Sequence, residues 1–283
     1  MIDETAEEIR EMQTHSSSVV AVKAAEALVA VTEESFPTIE EYVRALERNS
    51  RVLRGANPSH ASLVTTQRRI VEAVDEGDFE DVAAAQAFTR EVIRDVVERV
   101  DEGKHEAAGH LADVLEDGST LLLHDYSTTV LEGIEGAVAD GKSFDAYVTE
   151  ARPRHLGRKT ARELGRLDGI DPTLIVDGAA GHFMAEVDEV LVGMDCIVEG
   201  TLYNRVGTYP IAAVAADAGV TLTVAGSSAK IVDGAFRFEN DFRSASEVIR
   251  EPPEDFGVAN PAYDATPTDL VDRVVTDEGV ERC

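Results

Sequence analysis

Apolar residues in the first third of the chain recur at helical spacing. Ile2, Ala6, Ile9 and Met12 fall three or four positions apart. The Ala- and Val-rich stretch 19–31 follows His15-Ser16-Ser17-Ser18, a hydroxyl run suited to a helix start. Pro37-Thr38 opens a further helix carrying Ile39, Tyr42, Val43 and Leu46. Asn57-Pro58-Ser59 interrupts the pattern, and helices are expected again over 60–76 and 78–100. Residues 1–112 are therefore read as a helical domain.

From Leu115 the pattern changes. Short apolar runs alternate with helical stretches: TLLLHD (120–125), FDAYVTE (144–150), TLIVDG (173–178), EVLVGMDCIV (189–198), VTLTVAG (220–226) and DRVVTDEG (272–279). Strand–helix alternation of this kind predicts a mainly parallel sheet with helices on both faces. Residues 113–283 are read as a Rossmann-like α/β domain. Crossovers of one hand place every strand's C-terminal end on one edge, where such folds hold ligands. Those ends carry His124-Asp125, Thr149-Glu150, Asp177-Gly178, Gly193-Met194-Asp195 and Gly226-Ser227.

Charge changes the expected setting more than the fold. The chain has 283 residues with 26 basic and 55 acidic side chains, a formal net charge of −29. The acid is scattered over periodic, apolar-bearing sequence, which predicts a strongly hydrated, salt-adapted surface. It argues against direct nucleic-acid binding through a basic face. No apolar run approaches the ~18 residues of a membrane span. The acidic N-terminal stretch reads as a helix and not as a signal peptide. Cys196 and Cys283 form no metal-binding spacing. A cytoplasmic protein without a metal or cofactor is expected.

Several polar stretches could carry chemistry. Asp195 ends a strand and is followed by the glycine-punctuated EGTLYNRVGT (199–208). Gly207-Thr208 begins a helix whose free N–H groups could hold a phosphate, with Asn204 and Arg205 adding a neutral donor and a cation. Arg152, Arg154, Arg158 and Lys159 form a basic cluster in an acidic chain, suited to an anion or to surface carboxylates. There is no GxGxxG or GxxxxGK[ST] loop.

The pieces LLHDYSTTVL, YVTEARPRHLGRKTARELG, IVDGAAGHFMAEVDEVLVGMDCIVEGTLYNRVGT and NPAYDATPTDLVDRVVTDEGV stand in an order that resembles one family. It comprises the α, β and δ subunits of translation initiation factor 2B, ribose-1,5-bisphosphate isomerase and methylthioribose-1-phosphate isomerase. The resemblance implies dimers or higher homo-oligomers and a sugar-phosphate pocket between the domains. It implies two catalytic positions, Asp195 and the position of Asp125, where the isomerases carry cysteine. His15, Ser16 and Ser17 replace the isomerase Arg-Gly-Ala loop, and Arg205 replaces a lysine. With Ser127, Arg152, Asn204 and Lys230 these form the expected ligand set. Two functions follow. One is a regulatory, non-catalytic subunit that binds a sugar phosphate or nucleotide and meets a translation initiation factor. The other is an aldose–ketose sugar-phosphate isomerase with Asp125 and Asp195 as its acid/base pair.

Overall fold

The computed structural model describes residues 2–11, 17–232 and 236–283, which fall into two compact units. The first comprises Met1–Glu102 with Phe236–Phe238, and the second Gly103–Ala235 with Glu239–Cys283.

The first unit is helical. Its elements are α1 (Ile2–Glu11), α2 (Ser17–Ala27), a 3₁₀ turn (Leu28–Glu33), α3 (Ile39–Ala56), α4 (Ala61–Asp75) and most of α5 (Val82–Val114). Thr38 caps α3 by accepting the Glu41 N–H, and the helix stops before Asn57-Pro58, where proline excludes continuation. Ile9, Leu28, Tyr42, Leu46, Leu53, Leu63 and Ile70 form its core. The buried Tyr42 hydroxyl is satisfied by Thr89 at 2.6 Å.

In the second unit, β1 (Thr120–Leu123), β2 (Phe144–Thr149), β3 (Ile170–Ile175), β4 (Glu189–Gly193), β7 (Thr221–Ala225) and β10 (Arg273–Thr276) run parallel. β11 (Gly279–Arg282) returns antiparallel to β10. The order is β11-β10-β7-β4-β1-β2-β3. The chain moves outward from β1 to β3, then restarts on the other side of β1 with β4. The topological switch point, where open sheets of this class hold ligands, lies between β1 and β4. Both sheet faces are covered, which explains the unbroken Leu121-Leu122-Leu123 run. Leu121 and Leu123 join Ile134 and Leu164, while Leu122 joins Val190, Val192 and Ile211. The helices concerned are α6 (Thr128–Ala139), α7 (Gly157–Leu164) and α9 (Thr208–Ala218); a short α8 (Ala180–Phe183) precedes β4.

Three strand expectations need correction. The run 189–198 is not one strand: it breaks at Met194-Asp195, and β5 (Cys196–Val198) belongs to another sheet. That sheet has the order β8-β5-β6-β9, with β6 (Thr201–Arg205), β8 (Ile231–Val232) and β9 (Tyr263–Pro267). The glycine-punctuated stretch 199–208 therefore holds a hairpin turn, β6 and the entry to the following helix. Glu199 and Gly200 both adopt positive φ, 47° and 73°, as a two-residue turn between paired strands requires. The third parallel strand starts at Ile170, earlier than expected, because Pro172 is tolerated on an edge strand.

Some of the acid has a structural use. Asp117, Asp188 and Asp272 each accept a backbone N–H, from Ser143, Thr120 and Leu222, at 2.8 Å. The excess remains mutually repulsive. Unfolding free energy should therefore rise between about 0.1 M and about 1 M salt, as the screening length falls from ~10 Å to ~3 Å. Urea unfolding in KCl checks this, and salt-independent curves would contradict it.

Candidate functional site

β1 delivers His124 and Asp125 to the switch point, and β4 delivers Asp195. His124 is a clamp. Its Nε2 donates to the Val206 carbonyl at 2.9 Å, and its Nδ1 lies 2.6 Å from the Thr149 hydroxyl. Gly207 makes room for the ring: a Cβ there would lie 2.6 Å from His124, and its φ is +109°.

Asp125 adopts a left-handed backbone (φ 65°), which Asp tolerates better than most residues, and its carbonyl accepts from Thr160 Oγ1 at 2.7 Å. It is 8% exposed. Its carboxylate and that of Asp195 converge on one guanidinium: Arg205 Nε lies 3.5 Å from Asp125 Oδ2 and 3.7 Å from Asp195 Oδ2. Arg205 also lies over the Tyr263 ring at 4.8 Å, and its Nη1 is buried without a hydrogen-bond partner among the described residues. Burial pushes the Asp125 carboxyl above the usual carboxylate range, against the pull of Arg205 and His124. Burial opposes the charge on Arg205, but Asp195, Tyr263 and Asp125 outweigh it and hold the guanidinium more firmly charged.

Lys230 reaches the same corner and donates to the Met194 carbonyl at 2.9 Å. Burial pulls its ammonium below the usual lysine range. Cys196 follows Asp195 directly, yet burial pushes its thiol up to about 12, so it remains neutral and offers no replacement nucleophile. The switch-point space bordered by Asp125, Arg152, Arg205 and Arg243 is about 300 Å³ including its open mouth.

Other expected ligand residues have structural partners. Ser127 caps α6 by accepting the Val130 N–H at 3.3 Å. Asn204 donates to Thr208 Oγ1 at 3.0 Å and braces the turn into α9. The phosphate-binding reading of the α9 start is corrected: Asp264 Oδ2 already accepts the N–H groups of Gly207 and Tyr209, at 2.8 and 3.0 Å. Asp264→Ala should cost about 1 kcal/mol of stability, as loss of a helix cap does; denaturant unfolding measures it, and no change would deny the cap.

The basic cluster divides. Arg154 pairs with Glu247 at 2.8 Å, Arg158 with Glu150 at 2.5 Å, and Lys159 lies over the Tyr126 ring. The carboxylate contacts are the alternative that the sequence left open; the ring contact of Lys159 is new. Arg152 differs: its Nη2 donates to the Val248 carbonyl at 3.0 Å and its backbone N–H to Asp177 Oδ2 at 2.8 Å, and among the described residues its guanidinium has no carboxylate partner. Ser17 is buried at the start of α2 with no partner for its hydroxyl among the described residues, and His15 and Ser16 lie outside them.

The helical unit has a feature missed in the sequence. Arg51, Arg54, Arg68 and Arg237 border an open cavity of about 380 Å³. Burial, Arg68 and Arg51 together hold Arg54 below the usual arginine range. The i, i+3 spacing of Arg51 and Arg54 was the available signal; Arg237 is far away in sequence. Guanidiniums gathered in an acidic chain suit an anion.

Residues 13–283 match the Initiation factor 2 subunit family. A ribose 1,5-bisphosphate isomerase of Haloferax volcanii is 32% identical over 97% of this chain and 87% of its own length. Among solved structures, the translation initiation factor eIF-2B of Pyrococcus horikoshii OT3 is 26% identical, with TM-score 0.81 over 99% of this chain and 96% of its own. The 5-methylthioribose 1-phosphate isomerase of the same organism is 25% identical, with TM-score 0.77 over 99% and 84%. Among the described residues no helix is long and apolar enough to cross a membrane.

Proposed function

The chain belongs to the Initiation factor 2 subunit family, and from that premise we propose that it is an aldose–ketose isomerase acting on a phosphorylated pentose of the ribose 1,5-bisphosphate class. The observation that carries this reading is the convergence of Asp125 and Asp195 on Arg205 at the switch point. Burial that raises the Asp125 carboxyl favours its protonated, proton-donating form, the role a thiol fills in the isomerases this chain resembles.

The chemistry needs one donor and one acceptor. Asp125 gives its proton to the ring oxygen as the C1–O bond breaks, and the bonding pair stays on that oxygen. Hydrogen then moves with its electron pair from C2 to C1. Asp195 takes the proton of the C2 hydroxyl as the C2 carbonyl forms. One proton enters the sugar and one leaves, so the product is an isomer; proton exchange with solvent resets the pair. Arg205 balances the charge of Asp195 and, once Asp125 has given up its proton, that of Asp125 as well.

Turnover requires Asp125 protonated, so kcat/KM should fall as pH rises through its raised value. A rate still climbing across that range would remove Asp125 as the acid.

A second reading is a regulatory, non-catalytic member that binds the sugar phosphate, with partners among translation factors. It is favoured by the Arg205 guanidinium, which already lies against both acidic side chains. Ligand binding without any ketose product would select it.

A further inference from the structure

The helical unit holds a basic cavity that sugar isomerisation does not call on. Four of the chain's 26 basic side chains, Arg51, Arg54, Arg68 and Arg237, border one open space of about 380 Å³. Arg51 and Arg54 come from α3 and Arg68 from α4. Arg237 comes from residues 236–238, which belong to the helical unit although they lie far on in the chain. Val64 and Phe236, both buried, and Pro58 supply an apolar wall.

Pairing and helix geometry do not account for the cluster. Arg51 meets Glu47 at 2.6 Å, one turn back on α3, but both side chains are exposed, and such a pair gives way at little cost. Arg54 stands in the last turn of α3, where the helix dipole favours a cation. The dipole gives no reason for Arg68 and Arg237 to border the same space. Among the described residues Arg54 and Arg237 have no carboxylate within ion-pair distance, and Arg54 Nε is buried with no hydrogen-bond partner. An N–H group left so is costly. Burial, Arg68 and Arg51 hold Arg54 below the usual arginine range, and the pull of Glu47 and Glu72 does not offset them. An anion among these guanidiniums would relieve the repulsion and supply the missing acceptor.

Size and charge density select the anion. Small-molecule pockets begin at roughly 300 Å³, so the space holds more than a single phosphate. Carboxylates of a peptide come one per residue, whereas guanidiniums gathered at one cavity suit charge that is concentrated. Linked phosphoryl groups provide it, with a pair of oxygens for each guanidinium fork. The apolar wall can take a base or remain uncovered. The cavity shares no lining residue with the switch-point space.

We infer that Arg51, Arg54, Arg68 and Arg237 form a site for an oligophosphate, phosphoryl groups joined by anhydride bonds and either free or carried by a nucleotide. The site stands independently of the isomerase reading.

Calorimetric titration of the full chain with tripolyphosphate, ATP and inorganic phosphate tests it, at fixed ionic strength and without divalent cations. Tripolyphosphate or ATP should bind at least about tenfold more tightly than inorganic phosphate, and the tighter of the two identifies the source. Arg54→Gln and Arg237→Gln should each weaken that binding by about tenfold, the scale of a lost charged hydrogen bond. Arg237 is exposed, so its variant keeps the test open if Arg54→Gln fails to fold. Equal affinity for all three anions, binding that both substitutions leave unchanged, or displacement of the oligophosphate by ribose 1,5-bisphosphate overturns the site. The isomerase reading survives that loss, because it is judged by ketose formation.

Discussion

Asp195→Asn is expected to lower kcat for a phosphorylated pentose by about 10²–10⁴-fold while leaving the fold intact, the range typical for loss of a positioned proton-transfer group. The substitution keeps size and shape. The backbone N–H of Asp195 still donates to the Tyr203 carbonyl, so the corner between β4 and β5 keeps its anchor. What disappears, on the proposed mechanism, is the acceptor for the C2 hydroxyl proton. Asp125 alone still faces Arg205, so the cluster does not lose its charge balance altogether. Steady-state kinetics with circular dichroism on the same sample checks both parts. Unchanged kcat would remove Asp195 from the chemistry.

Arg205→Met is expected to cost about 3 kcal/mol or more at neutral pH, the scale seen when a buried ion pair loses one partner. Two acidic side chains 10% and 13% exposed would lose the guanidinium they share, with Lys230 the cation that remains beside Asp195. The pH dependence has a definite sign. Burial already raises the Asp125 carboxyl, and Arg205 is the main influence pulling it back. Removing that guanidinium raises it further. A carboxyl raised on folding adds stability at pH values below its unfolded value and loses it as pH rises through the folded one. The variant should therefore be closest to wild type in acid and fall furthest behind above neutrality. Urea unfolding at several pH values in constant high salt measures this. A loss that is small and independent of pH would contradict the account of the cluster.

Much of the frame was legible because it rests on short-range pattern. The Leu121–Leu123 run reads as a strand buried on both faces, and a polar pair directly after it marks the sheet edge. Asp125 and Asp195 could be placed at strand ends, but not on one guanidinium. That required the order of β1 and β4 in the sheet, which no local pattern encodes. The second sheet was hidden for the same reason. β6 pairs with β9 about 60 residues on, and the hairpin turn Glu199-Gly200 was read only as glycine punctuation. Asp264 competes for the very N–H groups that a helix start offers a phosphate, and its position became clear only once β9 lay beside β6. Arg243 sits in sequence without strand or helix periodicity, so nothing marked it until its segment lay over the pocket.

The most direct test of the central claim is carbon-13 NMR of ribose 1,5-bisphosphate labelled at C2, incubated with the purified wild-type chain in molar salt. The account predicts a new C2 carbonyl signal that grows with enzyme concentration and is absent with Asp195→Asn. Saturation of the site by the sugar with no carbonyl signal over many hours would contradict it.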